Sequence, residues 1–375
     1  MKVIIITFLF FSSYFNFAYA QSKASFTITN PSSLERKEEV IAIAWNTVLA
    51  KYPAIDTTQL KIVNTSSKKE LPWQLEYRGE KSAQNLLVQL DIPANGKVVI
   101  ALQKGKPSPP ITKTYGRYVP ERKDDFAWEN DKIAFRMYGK ALEATPKEMA
   151  YGIDVWVKST DRMVLNERYK RGKYHDDQGD GMDYYHVGYT LGAGNVMPCI
   201  NDSVYYSKNY VRWKMLDNGP LRTTFQLEYE EWDVKGMKVK AIKTVSLDAG
   251  SQLSRMEARY SYDKAEPLPL VVGIIKRKDQ GKLLLDEQQG IMGYWEPEIA
   301  KDGITGVGTM LFTPATKMKV TNEQLLMHTL SNTQKSLTYY TGAAWNKAGV
   351  YTKADDWFAY LQRFKEKISQ PLLVE

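Results

Sequence analysis

The sequence predicts a mainly β protein of stacked antiparallel sheets, with a small N-terminal β domain, a larger second β unit and a C-terminal helix. Short segments rich in Val, Ile, Tyr, Thr and Phe recur with polar alternation and turn residues between them, whereas helical patterns are few. The 375 residues, 43% hydrophobic and 25% charged, are sufficient for one large domain or two modest ones.

Each predicted strand is a short apolar or alternating run bounded by turn residues. In chain order these strands are 61–63, 86–91, 98–102, 132–138, 223–230, 239–246, 255–262, 310–312 and 336–343. The helix is predicted at 353–368, because apolar side chains recur there at spacings of three and four: Trp357, Tyr360, Leu361 and Phe364. Acidic residues in its first turn and lysines in its last fit the helix dipole.

The first twenty residues have the layout of a secretory signal peptide. Lys2 is followed by the apolar run 3–11 and then by Ala18-Tyr19-Ala20, which predicts cleavage before Gln21. No later stretch reaches the roughly 18 apolar residues of a membrane helix. We therefore expect residues 1–20 to be removed and the protein to be exported, to a bacterial periplasm first and to the medium second, without membrane attachment.

A proline-rich spacer separates the two expected units. Residues 104–112 contain Pro107, Pro109 and Pro110, which favours a linker. We predict an N-terminal β domain with its linker at 21–112 and a catalytic β domain at 113–375. Cys199 is the only cysteine, so no intramolecular disulfide is expected.

The chain is basic, with a net charge of +8 and a pI near 9.1, and this favours an anionic partner. No helix-turn-helix, zinc-finger or RNP pattern is present, so nucleic acid is not the expected partner. In an exported protein the anionic partner is expected to be an acidic polysaccharide.

Residues 173–188 are the most unusual segment of the chain. They hold two of the three histidines, four aspartates, three tyrosines and three glycines. Buried ionisable groups cost several kcal/mol unless they are paired, so such a density predicts the lining of a wet cleft. We interpret this segment as the active site.

Several stretches of the chain resemble the domain-of-unknown-function 4861 family, over nearly all of the mature sequence. They include Tyr-Gly-Ile-Asp-Val-Trp and Gly-Tyr-Trp-Glu-Pro, and their positions are 117–130, 151–156, 174–194, 276–277, 293–297 and 343–345. The resemblance implies a galactose-mutarotase-like β-supersandwich. It also implies a polysaccharide-degrading activity, since this family of Bacteroidota proteins includes a dehydratase of ulvan oligosaccharides that end in an unsaturated uronic acid.

If residues 183–187 form a strand, alternation places Tyr184 and His186 on one face and Asp183 on the other. Elimination of water from a uronic acid needs one group to remove a proton and another to protonate the departing hydroxyl. Histidine titrates nearest neutrality, so His186 or His175 is the candidate base and Tyr184 the candidate acid. The alternative is a histidine that only binds turn backbone.

The substrate carboxylate needs cations, because developing enolate charge has to be stabilised. The candidates are Arg117, Arg122, Lys208, Lys276 and Arg277. The aspartates of the cluster are expected to orient a histidine or to bind sugar hydroxyls: Asp177, Asp180 and Asp183. Two tryptophans in glycine-rich turns, Trp295 and Trp345, are predicted stacking platforms. His328 has two readings, as a buried structural residue or as part of the cleft.

The sequence carries no cofactor fingerprint and no clear metal motif. Asp176, Gln178 and Asp180 resemble the start of an EF-hand loop, but the position that needs a bidentate glutamate is Val187. An irregular divalent-metal site that uses Asp or His stays open.

We therefore predict a carbon–oxygen lyase, a dehydratase of acidic oligosaccharides. A glycoside hydrolase with two carboxylates, drawn from Glu129, Glu296 and the clustered aspartates, is the leading alternative. A non-catalytic carbohydrate-binding protein is the third possibility, and the His/Tyr/Asp cluster counts against it.

Overall fold

The computed structural model describes residues 24–331 and 335–375. The predicted signal peptide lies outside these residues and stays a prediction. Strands dominate the described chain and are organised in five antiparallel sheets. None of the described helices is long and apolar enough to cross a membrane.

The N-terminal part forms two small sheets around a core of its own. Its elements are β1 (Ser25–Thr29), β2 (Arg36–Ala44), α1 (Trp45–Lys51), β3 (Leu60–Asn64), β4 (Trp73–Glu76), β5 (Asn85–Ile92) and β6 (Lys97–Lys104). One sheet has the order β2-β5-β4. In the other, β6 lies between β1 and β3, and the last strand of the chain pairs with β1. Phe26, Ile43 and Leu86 are fully or almost fully buried between the sheets.

The larger part begins after an irregular stretch at 106–113, where the proline-rich linker is predicted. Its first strands are β7 (Thr114–Val119), β8 (Asp125–Asn130), β9 (Ala134–Met137), β10 (Asp154–Lys158) and β11 (Gly181–Asp183), with α2 (Leu165–Arg171) between the last two. These strands form one sheet, in the order β11-β10-β9-β8-β7.

The remaining strands form two sheets, one of five strands and one of eight. They are β12 (Ala193–Ile200), β13 (Ser203–Val204), β14 (Arg212–Asn218), β15 (Arg222–Val234), β16 (Met237–Asp248), β17 (Leu253–Ser261), β18 (Leu268–Ile275), β19 (Lys282–Asp286), β20 (Ile291–Trp295), β21 (Thr305–Leu311), β22 (Lys317–Val320), β23 (Gln324–Ser331), β24 (Leu337–Trp345) and β25 (Leu373–Val374), with α3 (Ala354–Ser369) before β25. The sheet orders are β13-β12-β18-β23-β22 and β14-β15-β16-β17-β24-β21-β20-β19.

The eight-stranded sheet packs against both five-stranded sheets, and together they form the supersandwich that the family resemblance implies. One continuous core joins the three sheets. It contains Trp128 from β8, Phe225 from β15 and Val272 from β18, all fully buried. Alternating inward side chains of facing sheets build such a core.

Helix α3 covers the other face of the eight-stranded sheet. Trp357 and Leu361 are fully buried against it, and the Trp357 indole donates to the Val307 carbonyl over 3.1 Å. Gly308 makes this close approach possible, because a Cβ at that position would lie 2.4 Å from a Leu361 methyl carbon.

Most of the predicted elements agree with the structure in type and differ only at their ends. The strand predicted at 310–312 starts earlier, at Thr305, and the strand predicted at 132–138 is confined to Ala134–Met137. The helix predicted at 353–368 is α3, displaced by one residue at each end.

Candidate active site

The outer face of the sheet β11-β10-β9-β8-β7 carries a ladder of charged residues. Strand register pairs Arg136 of β9 with Asp154 of β10, and Trp156 of β10 with Asp183 of β11. Since side chains alternate along a strand, Asp154 and Asp183 lie on the same face as Arg136. Helix α2 and the loop that contains Tyr174 cover this face.

Arg136 is the centre of a buried ion network. Its guanidinium contacts Asp154 at 2.5 Å, Asp183 at 2.9 Å and Asp125 of β8 at 3.5 Å, and all four side chains are almost completely buried. The guanidinium also lies over the rings of Tyr138, Trp156 and Tyr174, with Cζ between 4.9 and 5.9 Å from their centroids.

Three carboxylates around one guanidinium cannot all ionise cheaply. Burial, reinforced by the negative charge of Asp154, raises the pKa of Asp183 to about 8 against the pull of Arg136. Burial likewise raises the pKa of Asp125 to about 6. The network therefore holds a proton near neutral pH, shared among coupled groups.

His175 is attached to this network from the solvent side. Its Nδ1 lies 2.8 Å from the Asp183 carbonyl oxygen and 3.5 Å from the Asp183 carboxylate, while 66% of the side chain stays exposed. A carbonyl oxygen only accepts, so Nδ1 carries the proton and Nε2 is left with a free lone pair. The Asp183 amide donates to the Tyr174 carbonyl over 2.7 Å, which fixes the two segments side by side.

The strand predicted at 183–187 is wrong in extent, because β11 ends at Asp183 and residues 184–187 pair with no other strand in the described chain. The predicted alternation nevertheless persists in this extended segment. Asp183, Tyr185 and Val187 are buried, whereas Tyr184 is half-buried and His186 is exposed. The segment thus points Tyr184 and His186 away from the ion network.

Tyr184 and the residues behind it form the second half of the site, at the ends of other strands. Arg277 follows β18, and its Nε donates to Glu296, which follows β20, over 2.6 Å. Arg277 also donates to the His186 carbonyl over 2.6 Å and lies over the Tyr185 ring at 4.7 Å. The Tyr184 hydroxyl lies 2.7 Å from the hydroxyl of Thr305, the first residue of β21.

The electrostatics of this half favour neutral acids. Burial raises the pKa of Glu296 to about 7, although Arg277 opposes the shift. Burial also raises the pKa of Tyr184 well above its usual range, and Arg277 acts in the opposite direction. Polar atoms of three neighbours are buried without a hydrogen-bond partner in the described chain: the Tyr185 hydroxyl, Glu296 Oε2 and Arg277 Nη2.

Tyr185 is influenced by both groups of residues, because the charges of Glu296, Arg277 and Asp154 all act on its hydroxyl. We call the combined group of His175, Asp183, Tyr184, Arg277 and Glu296 the strand-end site.

Three of the predicted site residues, which include the Glu129 carboxylate of the hydrolase alternative, have buried side chains in the structure. Glu129 is fully buried and accepts from the Lys158 ammonium and from the Val164 and Leu165 amides, so it holds the start of α2. Trp295 packs beneath α3. Trp345 is 2% exposed and donates to the Asp302 carbonyl. Buried rings have no face on which a sugar could stack.

The predicted aspartates of the loop are engaged in holding the loop itself. Asp177 accepts from the Gly179 and Gly181 amides. Asp180 is buried and accepts two hydrogen bonds from Arg171, at 2.8 and 3.0 Å, so its carboxylate already holds the loop to α2. Within 24–331 and 335–375, no three His, Cys, Asp or Glu side chains are arranged to hold a metal ion.

The remaining candidates are spread over the molecule. Arg122 borders the ion network, since its Nε donates to the Tyr174 hydroxyl over 3.0 Å. Lys276 adjoins Arg277, and its amide donates to the Glu323 carbonyl. Lys208 is an exposed residue whose charge acts on Glu230. His328 is half-buried on β23, where burial lowers its pKa and the charges that act on it are Asp202, Lys317 and Lys319, none of which belongs to the strand-end site.

Sequence reasoning missed Asp125, Arg136 and Asp154. Two features of the sequence could have indicated these charged strand residues. Arg136 alternates with the apolar Phe135 and Met137, and Asp154 and Lys158 are four residues apart in a strand and therefore share a face. It also missed Tyr189, which is 58% exposed, lies three residues beyond His186 and packs against Tyr151 at 5.8 Å.

Comparison with known proteins finds one family over nearly the whole chain. Residues 28–374 match the family described as Domain of unknown function (DUF4861). The chain is 32% identical, over 315 residues and 78% of each sequence, to a protein of Formosa agariphila named "Uncharacterized protein P7".

Two solved structures share the fold at low sequence identity. A glycosyl hydrolase family 38 protein from Enterococcus faecalis superposes with a TM-score of 0.55 at 10% identity, and an α-mannosidase from the same organism with a TM-score of 0.53 at 8% identity. Each match covers 95% of this chain, which spans only 48% and 46% of those two chains.

Proposed function

The chain belongs to the DUF4861 family, and from its strand-end site we propose that it is a carbohydrate-active carbon–oxygen lyase. The proposed reaction is the elimination of water from acidic oligosaccharides that end in an unsaturated uronic acid. The substrate class follows the family resemblance and the basic charge of the chain, while the chemistry follows the site.

The observation that carries the proposal is the arrangement of His175 on Asp183. The imidazole is exposed, its Nδ1 is fixed by the Asp183 carbonyl at 2.8 Å, and its Nε2 is left as a free proton acceptor. The Asp183 carbonyl oxygen accepts from Nδ1 and so helps to stabilise the imidazolium that forms when Nε2 takes a proton. This arrangement favours His175 over His186 as the base, because the His186 contact described for the site is made by its backbone carbonyl.

Tyr184 is suited to the role of acid. Its raised pKa keeps the phenol protonated at neutral pH, and the contact with Thr305 fixes the direction of its hydroxyl. Arg277, held by Glu296, lies close enough to stabilise the phenolate that remains after donation and to bind the substrate carboxylate.

The proposed elimination transfers one proton to His175 and one proton from Tyr184. The carbon next to the carboxylate belongs to the existing C=C bond and carries no hydrogen. His175 Nε2 therefore removes a proton from the saturated ring carbon at the other end of that bond, which is conjugated with the carboxylate, and the C–H electron pair forms a second C=C bond to the neighbouring saturated carbon. The C–O bond on the neighbouring carbon breaks, and the departing hydroxyl takes the Tyr184 proton and leaves as water. Solvent then returns a proton from His175 to Tyr184.

The hydrolase alternative is less well supported by this geometry. A paired-carboxylate glycosidase needs two carboxyl groups on either side of the scissile bond, one of which acts as an acid. Glu296, Asp183, Asp154 and Asp125 are all almost completely buried, and Glu129 is bound to Lys158 and α2. The exposed proton acceptor of the site is an imidazole.

We also propose that the mature protein is periplasmic, which the predicted signal peptide supports. There it would receive the fragments that a polysaccharide lyase releases, because such enzymes generate unsaturated uronic acid ends.

Mass spectrometry of the products tests the reaction class. The purified protein is incubated with oligosaccharides that carry an unsaturated uronic acid at the non-reducing end. We expect a product that has lost one water and keeps every sugar ring. Shorter products that have gained water would replace the lyase with a hydrolase and transfer the catalytic roles to the carboxylates.

A further inference from the structure

A separate cleft of about 950 Å³ lies between the N-terminal β domain, the eight-stranded sheet and α3. Residues of β2, β16, β17 and α3 form its walls, and no residue of the strand-end site is among them. Its volume is at the upper end of the range of about 300–1,000 Å³ that is usual for small-molecule sites. Such sites occur preferentially where domains meet.

One wall of the cleft is aromatic and exposes unpaired hydroxyls. Tyr340 of β24, Tyr351, Tyr360 and Phe364 are packed edge to ring, with centroids between 5.0 and 5.9 Å apart. Tyr340 and Tyr351 are half-buried, and neither hydroxyl has a hydrogen-bond partner in the described part of the chain. Hydroxyls on an aromatic wall suit a ligand with both apolar faces and polar edges.

The opposite wall carries charged residues that already form ion pairs. Glu38 is bound by Lys113 and Lys132, and hydrogen bonds from these lysines lower its pKa although burial opposes them. Arg222 holds both Glu76 and Asp248. These three carboxylates already have cationic partners, so they offer fixed hydrogen-bond acceptors and donors and are not free to act as an acid or base.

Arg363 of α3 adds a cation to the aromatic wall. Its side chain is exposed, lies close enough to Tyr351 for its charge to act on that hydroxyl, and forms no ion pair with the described residues. The cleft therefore combines ring faces, two free hydroxyls, fixed charges and one unpaired guanidinium.

From this combination we propose that the cleft is a second, non-catalytic site for an acidic oligosaccharide. Sugar rings present an apolar face to the tyrosines and hydroxyls to the fixed ion pairs, and a carboxylate or sulfate of the chain pairs with Arg363. A site of this kind would hold a long substrate on the enzyme while its end is processed elsewhere. The inference does not depend on which reaction the strand-end site performs.

Isothermal titration calorimetry tests the proposal on full-length protein in which His175→Ala and Tyr184→Phe block turnover. The probe is a size ladder of uronate-containing oligosaccharides. We then compare Tyr340→Phe, Tyr351→Phe and Arg363→Ala in the same background. Because the two hydroxyls have no hydrogen-bond partner among the described residues, their removal breaks no described contact in the free protein, and a loss of affinity is expected to report contact with the ligand.

We expect a binding event that survives in the turnover-blocked background and weakens by about 3- to 10-fold for each hydroxyl removed, in line with the net value of one hydrogen bond. Arg363→Ala should weaken it further. Two matched controls should bind as the parent does: Tyr229→Phe, which removes an unpartnered hydroxyl from the core, and Arg259→Ala, which removes an exposed cation of β17 outside the cleft.

Equal affinity of the cleft variants and the controls for the oligosaccharides would overturn the proposal. The proposal would also be overturned if no oligosaccharide of the size ladder bound to the turnover-blocked protein. Turnover of the shortest oligosaccharide by the cleft variants in an otherwise wild-type chain is measured separately. That assay reports on the proposed lyase, so failure of one proposal is distinguishable from failure of the other.

Discussion

At the residue scale, Asp183 determines how the candidate site titrates. Its pKa is about 8 in the folded protein, well above the value of about 3.9 in an unfolded chain. The folded state therefore binds more protons than the unfolded state between these two values. Stability that is present at low pH is lost as the pH rises through this window.

Replacement of Asp183 by Asn should reduce that pH dependence. The amide keeps the shape of the side chain and cannot ionise, so the fall in thermal midpoint between pH 6 and pH 8 should be shallower than in the wild type. Asp125 and Glu296 have raised pKa values of about 6 and 7 and act in the same direction, so a residual slope is expected. Differential scanning fluorimetry across this pH range measures the slope. A slope as steep as that of the wild type would show that Asp183 does not cause the pH dependence of stability.

Lys243 gives a prediction of the opposite sign. It is buried in the core without a carboxylate, and burial lowers its pKa to about 7 from an unfolded value of about 10.4. The unfolded state binds more protons between these values, so this contribution to stability rises with pH across the window. The ammonium donates to Asn195 Oδ1 and the Val196 carbonyl, both of which also accept from other donors.

Lys243→Met should consequently raise the thermal midpoint at pH 7, because both acceptors keep a partner and the cost of the buried amine disappears. The gain over the wild type should shrink toward pH 10, where the amine of the folded protein is neutral and the pH approaches the unfolded pKa of about 10.4. A midpoint lower than that of the wild type at pH 7 would show that the two hydrogen bonds outweigh the burial of the amine.

Tyr189 is the exposed aromatic residue closest in sequence to the strand-end site, and we expect its ring to contact the substrate. If its ring supports a sugar next to the reacting end, Tyr189→Ala should raise KM several-fold and leave kcat nearly unchanged, because stacking contributes to the ground state and the transition state alike. Trp213→Ala, which removes another exposed ring, is the control. Steady-state kinetics with a tetrasaccharide substrate distinguish the two outcomes, and an unchanged KM would exclude Tyr189 from the substrate path.

At the element scale, α2 depends on a buried ion pair beneath it. Glu129 neutralises Lys158 at 2.8 Å and accepts from the first amides of the helix, and both side chains are fully buried. Glu129→Gln should leave the Lys158 ammonium without its counter-charge and destabilise the fold by about 3–5 kcal/mol, as the breaking of buried pairs usually does.

The matched control is Glu167→Gln on the same helix, whose contact with Arg162 is 3.9 Å long and exposed, and it should change stability by less than about 1 kcal/mol. Urea unfolding of both variants gives the comparison. Equal effects would mean that Glu129 does not support the helix in the way described.

Elements were easier to predict than sites because the strand signal is local. Alternating apolar residues identified β9 and β15, and the spacing of Trp357 and Leu361 identified α3. The charged ladder of Asp125, Arg136 and Asp154 was hidden because the same alternation also describes a strand with one face in solvent. Only the cover supplied by α2, a tertiary feature, buries that face.

The tryptophan predictions failed for a related reason. Glycines near Trp295 and Trp345 predict exposed turns. In the structure Gly306 leaves room for the Trp295 ring, since a Cβ there would lie 2.7 Å from it, and α3 closes over that ring, whereas Trp345 is buried in the core between the sheets. By contrast, residues 173–188 were recognisable because polar density of that kind has no packing explanation.

At the scale of the whole molecule, the first and last strands of the described chain pair with each other. The last strand, β25, pairs with β1, and Leu372 and Val374 pack into the N-terminal core. The buried Arg36 of β2 donates to the Lys367 and Gln370 carbonyls at the end of α3. The N-terminal domain is thus fixed to the helix that forms one wall of the second cleft.

Deletion of residues 371–375 should therefore lower the thermal midpoint and expose the edge of β1. The loss of strand pairing and of two packed side chains affects the N-terminal core first, so we expect an additional, earlier transition in differential scanning calorimetry. A single transition at the wild-type midpoint would show that the C-terminal strand does not stabilise the N-terminal domain.

The central claim is that His175, fixed by Asp183, is the base of an elimination reaction. Single-turnover kinetics on an unsaturated uronyl oligosaccharide, followed by mass spectrometry of the dehydrated product, test it most directly. His175→Ala should lose most of the about 10²- to 10⁴-fold that a positioned base contributes, with an unchanged thermal midpoint, while His186→Ala and the remote His328→Gln stay within a few-fold of the wild type. Turnover of His175→Ala close to that of the wild type, with a large loss in His186→Ala, would contradict the account.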